Sequence, residues 1–258
     1  MEKFYIARNE DIHPVFNEDG YASVELLPGT YDGGIRNYKC FLKSGSEIKP
    51  ELYTDKTVLF FFGFGKGYLT DAEAAYNIRE VAFYAPYFDK CPYTIHAVED
   101  MEYIMSIVEL NEWDKNALSK SQTYLPMFKS YSDCPRYRQD CKGPNTESRN
   151  VLLPGQLGRV ILGTVKAIGE GTIEKGHPAV HQWNYCLGNS DFNLIVDGGE
   201  PVRHVAGEFS FIPAGPDHSL VADPGKEVFY IWYEQYVREK DFLIKPLPNQ
   251  KITLETIE

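Results

Sequence analysis

Three histidines of this chain, His177, His181 and His218, are spaced so that one metal ion could be reached by all of them. They lie in Lys175-Gly-His177-Pro-Ala-Val-His181 and in Gly207-Glu-Phe-Ser-Phe-Ile-Pro213-Ala-Gly215-Pro-Asp-His218. A neutral imidazole nitrogen is the commonest side-chain metal ligand. Three of them leave coordination positions open, which marks a catalytic rather than a structural ion. Such an ion polarises a bound carbonyl or imine, orients a chelating substrate, or lowers the pKa of bound water towards neutrality.

Bringing the three rings together makes demands on the chain. Histidines four apart on a straight strand lie about 13 Å from each other, too far to share bonds of roughly 2 Å. Pro178 must therefore mark a bend, with His181 opening the next strand. Before the bend, Ile173, Lys175 and His177 share a face by strand alternation. A helical HxxxH is the weaker option, because Pro178 and the β-branched surroundings oppose a helix there. His218 must come from a different strand, entered through a turn at Pro213-Ala-Gly215 whose glycine permits tight backbone geometry. His204 has no such partner and reads as structural, while His13 and His96 carry no signal.

Lys175 is the candidate catalytic group. Turned inward beside a cation, its pKa would fall far enough for acid or base work near neutrality; alternatively it anchors a substrate carboxylate. Trp183 and Tyr185 are candidate walls, Asn184 and Asn193 candidate readers of polar substrate groups, and Arg159 a candidate carboxylate partner.

The elements that would carry these residues are strands. Runs rich in Val, Ile, Phe and Tyr occur at 58–62, 80–84, 102–110, 159–167, 192–196, 208–212 and 228–233. They are punctuated by Gly63-Phe-Gly65-Lys-Gly67, Asp197-Gly-Gly199, Pro213-Ala-Gly215 and Asp223-Pro-Gly225. Short strands so separated predict an all-β sandwich or barrel. The Gly63–Gly67 segment lacks the ending of a phosphate loop and is read as a β-turn. A short helix is allowed at 71–79, and 251–258 alternates like a strand.

Residues 130–150 are polar and poor in aliphatics, which predicts a linker between a first domain at 1–129 and a second at 151–258. The halves share spacings. Gly45 precedes Glu51 as Gly171 precedes His177, Asp55 follows as His181 does, and Pro86 precedes Cys91 as Pro213 precedes His218. This predicts a duplicated unit whose first copy lacks histidines and metal.

Composition narrows the function. A net charge of −11 argues against nucleic acid, whose binding needs clustered Lys and Arg. No apolar run approaches the roughly 20 residues of a membrane span, and the start of the chain does not read as a signal peptide, so a cytoplasmic location is expected. Five scattered cysteines without a CxxC pair read as free thiols.

The second half resembles a cupin domain. Gly207, Pro213, Gly215 and His218 match the second cupin motif, G(x)5PxG(x)2H. The first motif is altered: Lys175 stands at its first histidine, His177 at its second and His181 at its glutamate. That variant is similar to the ureidoglycine aminohydrolases, which bind metal through Glu-x-His-x3-His. Here the carboxylate is displaced to Glu174, and a one-residue bulge would bring it inward. The resemblance implies two tandem cupin barrels (double-stranded β-helix, or jelly-roll) and one divalent metal per chain, manganese ahead of iron, zinc or nickel. It also implies a small-molecule substrate, assembly into a homo-oligomer, and aminohydrolase chemistry on a small polar metabolite. A cupin isomerase, lyase or dioxygenase acting on a sugar or keto acid, and a non-enzymatic ligand-binding bicupin, remain the alternatives.

Overall fold

In the computed structural model, residues 4–121, 123–238 and the backbone of 253–254 are described. Nearly all regular structure is antiparallel strand, arranged in two compact units. The strand periodicity explains why. Along Asp191–Val196 half-buried and buried residues alternate, with Phe192, Leu194 and Val196 in the core. Side chains on successive strand residues point to opposite faces, so this alternation fixes which face is inside.

The first unit holds a six-stranded sheet in the order Met127–Ser130, Ala82–Ala85, Lys56–Phe64, Met101–Glu109, Ile35–Leu42, Tyr21–Leu26. Beside it lies a four-stranded sheet in the order Glu47–Ile48, Thr94–Ala97, Gly67–Thr70, Ala75–Ile78. The second unit repeats this order. Its large sheet runs Tyr5–Ala7, Phe209–Ile212, Val180–Cys186, Glu227–Tyr236, Val160–Ile168, Glu147–Leu157, and is extended by Arg136–Arg138 and Thr253–Leu254. Its small sheet runs Gly171–Glu174, His218–Val221, Asp191–Val196, Val202–Val205. Each unit is thus a two-sheet β-barrel of the jelly-roll type, as the sequence predicts.

Several boundaries differ from expectation. Residues 130–150 are not a linker. They carry the strand Arg136–Arg138 and begin the strand Glu147–Leu157, both in the second unit. Their polarity reflects exposure: Arg136 and Arg138 face water while Tyr137 between them is buried. The strand Tyr5–Ala7 joins the second unit rather than the first, pairing with Phe209–Ile212 and stacking Tyr5 on Phe211. The 71–79 segment is a turn and a strand, because only Tyr76 and Ile78 turn towards the core and their spacing of two is a strand period. The one α-helix among the described residues is Glu112–Lys120, preceded by Asn111, a residue type favoured at helix N-caps. Its buried Asp114 accepts hydrogen bonds from the backbone and side chain of Arg159. No helix among the described residues is long and apolar enough to cross a membrane.

Candidate metal centre

Inside the second barrel, Glu174, His177 and His218 bring three potential ligand atoms within 4.8 Å of one another. Glu174 ends the strand Gly171–Glu174, where its register partner is His218, the first residue of the neighbouring strand. Thr172 and Glu174 share the inner face by simple alternation, so no bulge is needed. Ile173 and Lys175 consequently point outward and are exposed. His177 escapes the parity of its strand because the chain turns at Gly176. A Cβ on Gly176 would lie 1.6 Å from the carbonyl oxygen of Gly215, so only glycine lets these two turns touch. The Gly176 N–H donates to Asp217 Oδ1 at 2.6 Å and ties the turns together. That contact seats His177 against His218, with ring centroids 5.1 Å apart and nearly perpendicular planes.

The ring orientations suit a cation. His177 Nδ1 lies 3.4 Å from the Val180 carbonyl and His218 Nδ1 lies 3.2 Å from the Pro216 carbonyl. A carbonyl can only accept, so each Nδ1 carries the proton and each Nε2 can present a lone pair inward. His218 Nε2 is buried without a hydrogen-bond partner among the described residues. Glu174 Oε2 sits 3.7 Å from His177 Nε2 and 3.3 Å from His218 Nε2. Ligands bonded at roughly 2.1 Å to a common ion stand about 3.0–3.4 Å apart, so small side-chain adjustments would close the set. One carboxylate and two imidazoles suit manganese, iron, zinc or nickel better than calcium.

More groups surround these three. Gln182 Oε1 is 3.2 Å from His177 Nε2, and its amide N–H donates to Asn184, which in turn donates to Ser210. Glu234 Oε1 lies 3.8 Å from His177 Nε2. Cys141 Sγ is 3.5 Å from Glu174 Oε1. Lys142 donates to Tyr137 Oη at 2.6 Å, with its ammonium 4.5 Å from the centre of that ring.

The charges are strongly coupled. Burial opposes the charge on Glu174, but the adjoining imidazoles of His177 and His218 hold its carboxyl well below the usual range. Burial likewise opposes a charged His177, but Glu174 and Glu234 outweigh it and push the imidazole up to about 9. Glu234 is raised, chiefly by burial and also by repulsion from Glu174. Lys142 is lowered by burial against the pull of Glu174.

The structure places the other sequence candidates elsewhere. His181 alternates with Gln182 and so points to the opposite face of its strand; its Nδ1 accepts the Ala214 N–H, and its ring lies beside Phe211. The expected trio of imidazoles is thus a pair with Glu174. Trp183 shares His181's face and packs between Phe211 and Tyr233, and Tyr185 follows it by alternation. Asn193 is half-buried on the strand face away from Phe192 and Leu194. Arg159 is held by Asp114. Lys175 is exposed. Of the five expected substrate contacts, Asn184 is linked to the cluster, accepting a hydrogen bond from Gln182. Sequence reasoning missed Gln182, Glu234, Cys141 and Lys142. The parity that brings Gln182 inward is readable once His181 is placed on a strand, whereas nothing near Lys142 distinguishes it from a solvated lysine.

Solved structures that resemble this chain are cupin-type proteins. A protein from Pseudomonas aeruginosa described as glyoxylate-induced aligns with TM-score 0.71 and 13% identity over 96% of this chain and 92% of its own. Protein YlbA from E. coli aligns with TM-score 0.70 and 10% identity over 91% and 90%. An oxalate decarboxylase from Lactobacillus farciminis, in a formate complex, aligns with TM-score 0.66 and 13% identity over 89% and 85%. At such identities the likeness is one of fold, and the fold is that of the bicupins. No family model and no curated protein matches the sequence.

Proposed function

We propose that this chain is a metal-dependent bicupin enzyme that acts on a small carboxylate-bearing metabolite, with ammonia-releasing chemistry on a ureido acid as the leading reaction. The observation that carries it is the convergence of Glu174, His177 and His218 beside two further buried ionisable groups, Lys142 and Glu234. A divalent ion held there would polarise a bound carbonyl or imine, or acidify bound water. Glu174, His177 and His218 would hold it, with Gln182 Oε1 as a further oxygen ligand. Manganese is the leading choice, carried by the resemblance to ureidoglycine aminohydrolases.

The chain's own residues supply the rest. Among the described residues the Lys142 ammonium has one hydrogen-bond partner, Tyr137, so it keeps donors for a substrate carboxylate. Glu234 is raised and can hold a proton on Oε1 and deliver it to a leaving amine. The chain from Gln182 through Asn184 to Ser210 fixes the amide orientation, so Oε1 faces the centre. Burial of His177 and His218 lowers the local dielectric, which strengthens these interactions.

Elemental analysis of the purified protein, followed by an ammonia assay over a panel of ureido acids, tests this reading. About one metal per chain and ammonia release from one panel member are expected. A protein that stays metal-free after reconstitution with manganese, iron, zinc and nickel would overturn it. A lyase acting on a small dicarboxylate is the second reading, favoured by the same lysine and by the likeness to oxalate decarboxylases. Carbon dioxide in place of ammonia among the products would select it.

A further inference from the structure

Cys141 stands at the metal centre without a part in the proposed function. Its Sγ lies 3.5 Å from Glu174 Oε1, and an ionised carboxylate only accepts, so the thiol is the donor. The other oxygen of the same carboxylate, Oε2, faces His218 Nε2 at 3.3 Å and His177 Nε2 at 3.7 Å. His218 Nε2 is buried without a partner among the described residues, which marks the Oε2 side as the place for a cation. The two oxygens of Glu174 are thus divided between a thiol and an ion site.

The backbone places this thiol independently of its side chain. The Ile173 N–H donates to the Cys141 carbonyl at 2.8 Å, and the Gly143 N–H donates to the Gly171 carbonyl at 3.0 Å. Between them Lys142 forms an antiparallel bridge with Thr172. Residues 141–143 therefore flank one edge of Gly171–Glu174, while His218–Val221 pairs along the other. Glu174 is approached from both edges, by an imidazole on one and a thiol on the other.

A carboxylate with both oxygens free can rotate about its last bond and chelate a cation through the pair. A donor fixed on Oε1 opposes that rotation and leaves Oε2 alone to meet the ion. Chelation by both oxygens suits calcium, which takes many oxygen ligands in flexible geometry, whereas one oxygen beside two imidazoles suits a transition metal. We infer, on the reading that a divalent ion occupies this centre, that Cys141 is a positioning residue: its S–H keeps Glu174 a one-oxygen ligand and so sets the preference of the centre for manganese-type ions over calcium.

Infrared spectra of the metal-free full chain in the S–H stretching region test the contact itself. Of the five thiols, the one bonded to a carboxylate should give the band displaced furthest to low frequency, because hydrogen bonds to a charged acceptor are the strong ones. Cys141→Ser should remove that band and Glu174→Gln should move it to higher frequency; loss of an undisplaced band in Cys141→Ser would overturn the inference. Calorimetric titration with manganese chloride and calcium chloride then reads the selectivity. Cys141→Ala should weaken manganese binding about tenfold and leave calcium no weaker, so the ratio falls about tenfold. Cys141→Ser, which keeps a donor on the same carbon, should recover part of that loss. An unchanged ratio in Cys141→Ala, or identical behaviour of the alanine and serine variants, would mean that the thiol only fills space. A parent that binds manganese beside such an indifferent Cys141→Ala overturns this inference alone, whereas a parent that binds no metal overturns the metal-dependent function and this inference with it.

Discussion

The two barrels have the same strand order and opposite interiors. In the second, Glu174 pairs in register with His218; in the first, the corresponding pair is Ile48 with Ile95. The inner face of Val180–Cys186 presents Gln182 and Asn184 in one barrel, and the inner face of Lys56–Phe64 presents Phe60 and Phe62 in the other. Both sets of residues satisfy the same alternation, so the fold tolerates either. A jelly-roll asks only that inward positions be filled and their polar atoms partnered. Chemistry is then added by a few residues at fixed register positions. The pairing also revises the sequence correspondence: Ile95, rather than Cys91, takes the place of His218, because the first barrel has a longer connection before that strand.

The comparison can be broken most sharply in the second barrel. His218→Ala removes one of two imidazoles, and we expect metal content near zero and activity down by about a thousandfold or more. Metal analysis and turnover on the same preparation check it. Retention of stoichiometric metal would mean that the ion sits elsewhere.

Grafting chemistry into the first barrel should fail. Ile95 is fully buried among apolar neighbours, so Ile95→His should lower stability by about 2–4 kcal/mol through lost packing and an unpartnered ring nitrogen. Denaturant titration measures the loss, and the metal content of the second barrel should not change. A neutral outcome would show that the two interiors are interchangeable one residue at a time.

Two lysines sharpen the same contrast within the second barrel. Lys142→Met should raise KM about ten- to thirtyfold with metal retained, since it removes the donor facing the cluster. Lys175→Met, on the exposed outer face, should stay within about twofold of the parent. A reversed order would return the role to Lys175.

The last effect is one of pH. His177 is raised to about 9 in the metal-free protein, and bound metal must displace its proton. Metal affinity should therefore rise about tenfold per pH unit from neutrality and level off above about 9. The metal-free protein behaves in the opposite sense. The stability that protonated His177 gains from Glu174 is complete below its ordinary value of 6.5 and is lost as pH rises through about 9. Titrations of affinity and of thermal midpoint across this window separate the two; a pH-independent affinity would remove His177 from the ligand set.

Much of this architecture is readable before any coordinates. The seven apolar runs each overlap an observed strand, and the turn Gly207-x5-Pro213-x-Gly215-x2-His218 delivers its histidine at a strand entry, as expected. His177 and His218 come from the residues themselves, whereas Glu174 enters only through the resemblance and a supposed bulge; the structure brings it inward by parity with Thr172, opposite to the face expected. His181 misleads because its neighbour Gln182, one residue along, holds the inward parity. Lys142 is invisible because a segment with a short, largely exposed strand such as Arg136–Arg138 and a linker have the same composition.

The amino-acid sequence alone determined that the chain is built of short strands and which residue types are available for chemistry, since alternation and turn residues act over a few positions. Which of those residues meet was decided by tertiary structure. The close approach of Gly176 to Gly215 selects His177, and the register of Glu174 against His218 completes the cluster. Those are contacts between segments about forty residues apart, and local propensity carries no information about them.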